Sequence, residues 1–370
     1  MKERLDSRLR GNDKIMQRCI ELARKGAGHV SPNPLVGCVI VKNDYVIAEG
    51  YHKMFGSNHA EINAINNALN KGLDLTGSTL YVNLEPCSHY GKTPPCVDKI
   101  IECKIKKVVI GIKDPNPLVA GKGIKKLRKN GVEVITGIFE KECIELNKFF
   151  LKNIKTSLPY VTLKAAQTLD GKIADEHGKS KWISSKVSRK LVHKLRSEYD
   201  AILIGKNTVE IDNPELTVRM VKGRNPYRIV IDKDLKLDVK KKIFSDKYSD
   251  RTIVLTSGDA LLKDSKKKRI LEYNNVILIP VKKMNNKLNL RDALSKLNDI
   301  GISSILVEGG AYTFSEFINQ KLVDEMLIFI APKIFGKGLD TFATLNNPIF
   351  NDKNTLLNNS GSDILFDLRF

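Results

Sequence analysis

Apolar positions in the first 150 residues follow two periods in turn. Ile15, Cys19, Ile20 and Leu22 recur at helical spacing, which predicts a helix over 15–25 that stops near Gly26 and Gly28. Residues 35–41 form a continuous β-rich apolar run, as a buried strand would, and 46–48 offers a second strand after the Asn43-Asp44 turn. The same reading puts helices over 59–69, 96–103 and 124–129, and strands over 79–83, 107–112 and 132–135. Strand and helix alternate, so a layered α/β domain is expected.

The pattern breaks between 147 and 159. A helix ends near Leu151, and Thr156-Ser157-Leu158-Pro159 reads as a linker. Beyond it, short β-branched runs at 160–164, 201–204, 228–231, 252–255, 276–279, 304–307 and 326–330 are separated by longer helical or loop stretches. That spacing predicts a second α/β domain with a mostly parallel sheet and crossover helices. The expected boundaries are a polar tail over 1–14, one domain over 15–150 and another over 158–370. No apolar run reaches the length of about eighteen residues that a membrane span requires. The charged N-terminus lacks the apolar stretch of a secretory signal, so a cytoplasmic protein is expected.

A net charge of +20 raises a nucleic-acid reading. Residues 1–150 hold 24 Lys+Arg against 16 Asp+Glu, and 151–370 hold 38 against 26, so the excess follows length and no basic arm stands out. The charge suits phosphate-bearing ligands and does not by itself point to DNA or RNA.

All six cysteines, and four of the six histidines (His29, His52, His59 and His89), fall in the first domain. That concentration argues for a metal or a reactive thiol. His59-Ala60-Glu61 is followed by Pro86-Cys87 and, nine residues on, by Cys96. One imidazole and two thiolates fill three of zinc's four tetrahedral positions and leave the fourth for water, whose pKa bound zinc lowers. Glu61, at the start of a helix, can shuttle a proton from that water to a leaving amine. The arrangement resembles the signature of zinc nucleobase deaminases, with one departure: eight residues rather than two separate the cysteines. A closed structural site, with His89 or His52 as fourth ligand, is the competing reading, and unliganded core cysteines are another. Cys19, Cys38, Cys103 and Cys143 sit in apolar contexts and read as core.

The segment Pro86-Cys87-Ser88-His89-Tyr90-Gly91-Lys92-Thr93-Pro94-Pro95-Cys96 resembles the zinc loop of the riboflavin-pathway deaminases. Pro32-Asn33-Pro34-Leu35-Val36-Gly37-Cys38, Gly50-Tyr51-His52 and Asp114-Pro115-Asn116-Pro117 extend the likeness over about residues 15–150. The resemblance implies a cytidine-deaminase-like three-layer α/β/α domain. In it zinc is held by His59, Cys87 and Cys96, Glu61 is catalytic, and Asn33, His52, His89 and Lys92 touch substrate. Read on their own, Asn33 between two prolines also suits a plain turn, and His52 suits a satisfied structural histidine.

No G-x-G-x-x-G follows a strand in the second domain. Glu308-Gly309-Gly310-Ala311, after the strand at 304–307, offers turn amides for a dinucleotide phosphate. Glycine also occurs in such turns for steric reasons alone. Residues 164–172, 180–184 and 212–219, with Ala331-Pro332-Lys333, resemble the reductase domain of the same bifunctional riboflavin biosynthesis deaminase–reductases. The resemblance implies a dihydrofolate-reductase-like α/β domain that uses NADPH. Ala166, Trp182, Thr208, Asp212, Gly310, Ala311, Tyr312, Thr313, Phe314, Ser315 and Glu316 would line the cofactor site. Ser180, Arg196, Leu216, Arg219 and Glu308 would hold substrate, where two arginines can clamp a phosphate. Trp182 also reads as core packing, and Arg196 as a solvated helix face.

The expectation is a two-domain α/β enzyme that deaminates a diaminopyrimidinone ribosyl phosphate with Zn2+ and then reduces its ribosyl group with NADPH. Expected partners are that small molecule and further copies of the chain, with neither nucleic acid nor membrane. The alternatives are a zinc nucleobase or RNA deaminase with an accessory domain, and a zinc-stabilised scaffold without activity. The long zinc insert, the evenly spread charge and the reductase-like half stand against the first.

Overall fold

The computed structural model describes residues 11–90, 94–116, 119–181, 183–348 and 355–370. The chain divides into two compact units, Met1–Ser157 and Leu158–Phe370.

The first unit runs α1 (Gly11–Arg24), β1 (Gly37–Lys42), β2 (Tyr45–Tyr51), α2 (Ala60–Leu69), β3 (Thr79–Leu84), α3 (Cys96–Glu102), β4 (Lys107–Ile112), α4 (Lys122–Lys129), β5 (Glu133–Thr136), α5 (Glu140–Leu146) and α6 (Lys148–Thr156). Its five strands take the order β2-β1-β3-β4-β5. β1 is antiparallel to β2 and β3, while β3, β4 and β5 are parallel. β3 and β4 are buried over nearly their whole length, which is why 80–82 and 108–112 are continuous apolar runs rather than alternating ones. α1 packs against α5, α2 against α3, and α3 against α4, giving helical layers about the sheet.

Helix α1 already includes Gly11, four residues before the apolar periodicity starts. The Tyr81 hydroxyl donates to Asn12 Oδ1 at 2.8 Å, so the polar stretch 11–14 is tied to the domain rather than being a tail. Residues 1–10 lie outside the described residues.

The zinc-motif helix α2 lies close against β2 because Gly50 has no side chain. A Cβ there would stand 2.3 Å from the Ala64 nitrogen and 2.5 Å from the Ala60 carbonyl oxygen. Gly50→Ala is therefore expected to cost about 1–3 kcal/mol, the usual toll of overpacking, and to lower the first unit's thermal midpoint. An unchanged midpoint would show that α2 can move away freely.

The second unit runs β6 (Tyr160–Thr168), β7 (Lys172–Asp175), α7 (Lys186–Glu198), β8 (Ala201–Gly205), α8 (Lys206–Asp212), β9 (Tyr227–Ile231), α9 (Lys242–Ser245), β10 (Thr252–Ser257), α10 (Gly258–Lys263), α11 (Ser265–Tyr273), β11 (Ile277–Val281), β12 (Lys283–Met284), β13 (Lys287–Leu288), α12 (Leu290–Asp299), β14 (Ser304–Val307), α13 (Ala311–Asn319), β15 (Glu325–Ala331), β16 (Gly338–Asp340), β17 (Thr355–Ser360) and β18 (Asp363–Arg369). The main sheet has nine strands in the order β11-β10-β9-β8-β14-β6-β15-β18-β17. The seven strands from β11 to β15 are parallel. The strand order reverses between β8, which leads through α8 to β9, and β14, which leads through α13 to β15. In open α/β sheets, ligands bind beyond the carboxyl ends of the strands at such a switch point.

The β17–β18 hairpin was not expected from the sequence. β18 pairs antiparallel with β15, from Glu325↔Arg369 to Ile330↔Ile364. Its buried Asp363 carboxylate accepts from the Ser185 backbone N–H (2.7 Å) and the Ser188 hydroxyl (2.6 Å), pinning the hairpin to the start of α7.

Candidate functional site

The first site is built at two helix starts. α2 places His59 at its N-cap and Glu61 in its first turn, and α3 opens with Cys96. His59 Nδ1 lies 3.5 Å from Cys87 Sγ and 3.4 Å from Cys96 Sγ, and the three donor atoms fall within 4.8 Å of one another. A nitrogen and a sulfur bound to one tetrahedral zinc at ordinary bond lengths stand about 3.6 Å apart. The donor set therefore fits zinc in spacing and in ligand type, and it is the only such cluster among the described residues. The Cys87 thiol is pulled down to about 4, chiefly by the hydrogen bond from Cys96 and then by His59. Cys96 is pushed up by the same contact. The Cys96 backbone N–H also points at Cys87 Sγ (3.3 Å).

Glu61 is buried, and burial raises its pKa, opposed by His59. His52, also buried, lies edge-on to His59 with ring centroids 5.5 Å apart. Its Nδ1 faces the Asn58 carbonyl oxygen at 3.1 Å, so Nδ1 carries the proton and Nε2 accepts from Asn33 Nδ2 at 3.2 Å. Both ring nitrogens are thus engaged, and burial holds the ring neutral by lowering its pKa. His52 orients the Asn33 amide. The strand entry that carries Asn33 is fixed by two buried amides the motif reading did not find. Asn147 Oδ1 accepts from the Leu35 N–H (2.8 Å), and Asn83 Oδ1 accepts from the Gly37 N–H (2.7 Å). His89 is exposed, and Lys92 lies outside the described residues, as does Pro117 of the Asp114 segment.

The second site is a cleft of about 1190 Å³ at the switch point of the large sheet. Of the residues expected on the cofactor, Ala166, Thr208, Asp212, Gly310, Ala311, Tyr312, Thr313, Phe314 and Glu316 line it. Gly310 is the N-cap of α13, where free backbone amides suit a phosphate. Of those expected on the substrate, Ser180, Arg196, Arg219 and Glu308 line the same cleft. Two of the expected side chains lie elsewhere in the unit. Ser315 is absent from the lining; it is buried and its Oγ accepts from the Ala343 N–H. The Leu216 side chain joins the core with Ile202 and Val230. Trp182 lies outside the described residues.

Arg196 is not on a solvated face. Its Nε and Nη2 donate to the two oxygens of Glu308 at 2.7 and 2.8 Å, and Nη1 donates to the Thr217 carbonyl oxygen at 3.2 Å. Its fork is thus occupied by a carboxylate, which departs from the two-arginine phosphate clamp. Lys164 Nζ, 3.9 Å from Glu308, completes the group and was given no role by the motifs. Burial pushes the Lys164 pKa down against the pull of Glu308.

His193 accepts from the Arg219 backbone N–H at Nδ1 (3.1 Å) and is pushed down to about 4, first by burial and then by Arg196 and Arg219. Its folded pKa lies below the ordinary 6.5, so the unfolded chain binds the extra proton first as pH falls. His193 should therefore cost stability progressively between pH 6.5 and about 4. His193→Gln is expected to flatten that part of the stability profile, read by urea unfolding at stepped pH; an unaltered slope would show that other groups produce it.

Comparison with known proteins gives both units relatives. The RibD C-terminal domain model matches residues 159–359, and the cytidine and deoxycytidylate deaminase zinc-binding region matches 10–112. The riboflavin biosynthesis protein RibD of Aquifex aeolicus is 44% identical over 325 residues, 88% of each chain. That of Escherichia coli is 37% identical over 343 residues, 89% of this chain and 90% of the other. A diaminohydroxyphosphoribosylaminopyrimidine deaminase/5-amino-6-(5-phosphoribosylamino)uracil reductase from Thermotoga maritima superposes with a TM-score of 0.86 at 44% identity, covering 97% of this chain and 98% of that one. RibD of Acinetobacter baumannii gives 0.84 at 34% identity, covering 98% and 99%. With both catalytic units matched along almost its full length, the chain belongs to the RibD family of riboflavin biosynthesis proteins.

Proposed function

We propose that the two sites act in succession on one phosphorylated pyrimidine, a diaminopyrimidinone ribosyl phosphate, and that the residues assigned above carry the two steps. As a RibD-family protein the chain is a zinc deaminase and an NADPH-dependent reductase of riboflavin biosynthesis. Deamination is assigned to the unit Met1–Ser157 and reduction to Leu158–Phe370. The observation that carries the reading is the pairing, in one chain, of the His59–Cys87–Cys96 donor set beside Glu61 with a phosphate-suited cleft at the sheet's switch point. A nucleobase or RNA deaminase with an accessory domain is not favoured.

Zinc held by His59, Cys87 and Cys96 supplies Lewis acidity towards water. Glu61 takes a proton and returns it to the departing amine; a carboxyl raised by burial suits a group that must do both near neutral pH. Asn33, oriented by His52, meets the pyrimidine, and His89 and Lys92 meet the ribosyl phosphate end. In the second unit NADPH supplies the hydride. Ala166, Trp182, Thr208, Asp212 and the turn from Gly310 through Glu316 hold the cofactor, while Ser180, Arg219 and Glu308 orient the sugar. Arg196 fixes the Glu308 carboxylate.

No helix among the described residues is long and apolar enough to cross a membrane. The test is to incubate zinc-loaded protein with the ribosyl phosphate substrate and NADPH, following ammonia and nicotinamide absorbance together. Both signals are expected. Ammonia alone would leave the cleft without its assigned reaction, and neither signal would overturn the substrate assignment.

A further inference from the structure

The loop after α8, residues 213–219, brings Arg219 to the cleft of the second unit, and side chains from elsewhere hold its backbone. Arg228 Nη1 donates to the Glu215 carbonyl oxygen (3.1 Å), and Arg196 Nη1 donates to that of Thr217 (3.2 Å). Asn225 Oδ1 accepts from the Val218 N–H (2.7 Å), and His193 Nδ1 accepts from the Arg219 N–H (3.1 Å). Among these residues Leu216 sits at φ 53°, a left-handed conformation that a leucine keeps only where its surroundings hold it. The loop is therefore fixed before any ligand arrives.

Within 213–219 only Arg219 lines the cleft. Its guanidinium is paired with Glu215 at 3.0 Å, but both side chains are about half exposed. Water screens such a pair, so it holds the guanidinium weakly. Where the guanidinium can reach is set instead by the backbone, and there His193 is the last anchor. Arg228 and Asn225 stand outside the cleft, and Arg196 is committed to Glu308. α7 turns Arg189, Val192, His193 and Arg196 to the cleft along one helical face.

Packing alone would account for a buried side chain at this place, as it does for Val192. It does not account for an acceptor aimed at the amide of the one loop residue that reaches the cleft. To accept there the ring must be neutral, with its proton on Nε2. Burial, with Arg196, Arg219 and Lys164 nearby, keeps it so against the pull of Glu308.

We propose that His193 is a positioning residue of the reductase site, holding the Arg219 backbone so that the guanidinium meets the phosphorylated sugar from one fixed place. It acts through Arg219 and takes no part in hydride transfer. The proposal rests on the reductase reading of this unit.

The test compares His193→Leu and His193→Asn in the full chain, supplied with NADPH and already deaminated substrate. Leucine fills most of the space without an acceptor, whereas the asparagine amide oxygen can take the place of Nδ1. His193→Leu is expected to raise KM for the deaminated substrate by about 10-fold, the most that one net hydrogen bond is worth. kcat, KM for NADPH and ammonia release by the first unit should hold, and His193→Asn should recover most of the loss. In an Arg219→Ala background, His193→Leu should raise KM no further, because the two residues act as one. If the leucine variant does not fold, His193→Gln, whose amide lies at the Nε2 position, takes its place in the comparison. A lower thermal midpoint with unmoved KM would reduce His193 to packing and overturn the proposal. Equal KM in the leucine and asparagine variants, or a full effect of His193→Leu without Arg219, would also overturn it. Absent NADPH oxidation by the unsubstituted protein would instead fail the reductase reading, which keeps the two failures apart.

Discussion

Glu61→Gln is expected to reduce ammonia release by about 10²- to 10⁴-fold, the range that a positioned proton-transfer group contributes. The amide is nearly isosteric but cannot take up a proton. Three other quantities should stay where they are. Zinc content should hold, because His59, Cys87 and Cys96 supply the donor set and Glu61 is outside it. NADPH oxidation on deaminated substrate should hold, because it belongs to the other unit. The thermal midpoint should not fall, because burial disfavours the charged form of Glu61 and the amide removes that charge. Undiminished ammonia release would remove Glu61 from the chemistry. A loss of zinc along with activity would make it a structural support for the metal.

Glu308→Ala is expected to be the most destabilising single change at the reductase cleft, by about 3–5 kcal/mol, as when one partner of a buried ion pair is removed. Glu308 is held by two short bonds from Arg196 and lies 3.9 Å from Lys164, so its loss leaves two cations without their counter-charge. Glu308→Gln retains an acceptor and should cost less. The sign of the pH dependence follows from the neighbouring cations, which with the Arg196 bonds outweigh burial and hold the Glu308 pKa below its ordinary 4.5. The pair's contribution is therefore present above pH 4.5 and fades as pH falls through the lowered folded value. The gap between the unsubstituted protein and Glu308→Ala in urea unfolding should narrow in acid. A gap below about 1 kcal/mol at neutral pH, the scale of an exposed pair, would mean that water reaches the cluster and screens it.

Much of this was legible in residue order alone, for identifiable reasons. The strands at the centre of both sheets are covered on two faces, so 80–82 in β3, 108–112 in β4, 201–205 in β8 and 305–307 in β14 appear as unbroken apolar runs. The His59–Cys87–Cys96 cluster was legible because zinc chemistry restricts residue type, and because His59 and Cys96 sit at helix starts where local spacing places them. The β17–β18 hairpin was missed because it closes one side of the sheet, with β17 at the edge. Leu356, Leu357 and Ile364 are exposed there, and the apolar signal of a covered strand is weak.

Local spacing determined the element types, the division into two α/β units, and the chemical class of the front site. Only the tertiary structure decided which polar groups satisfy one another. Leu35 meets Asn147, and Arg196 meets Glu308, each across 112 residues, while Glu85 meets Asp114 across 29. A hydrogen bond or a buried ion pair acts over a few ångströms, and sheet order brings such residues together. Residue spacing shows that an arginine or a glutamate is present; the fold settles whether its charge is already spent on a neighbour or left for a ligand.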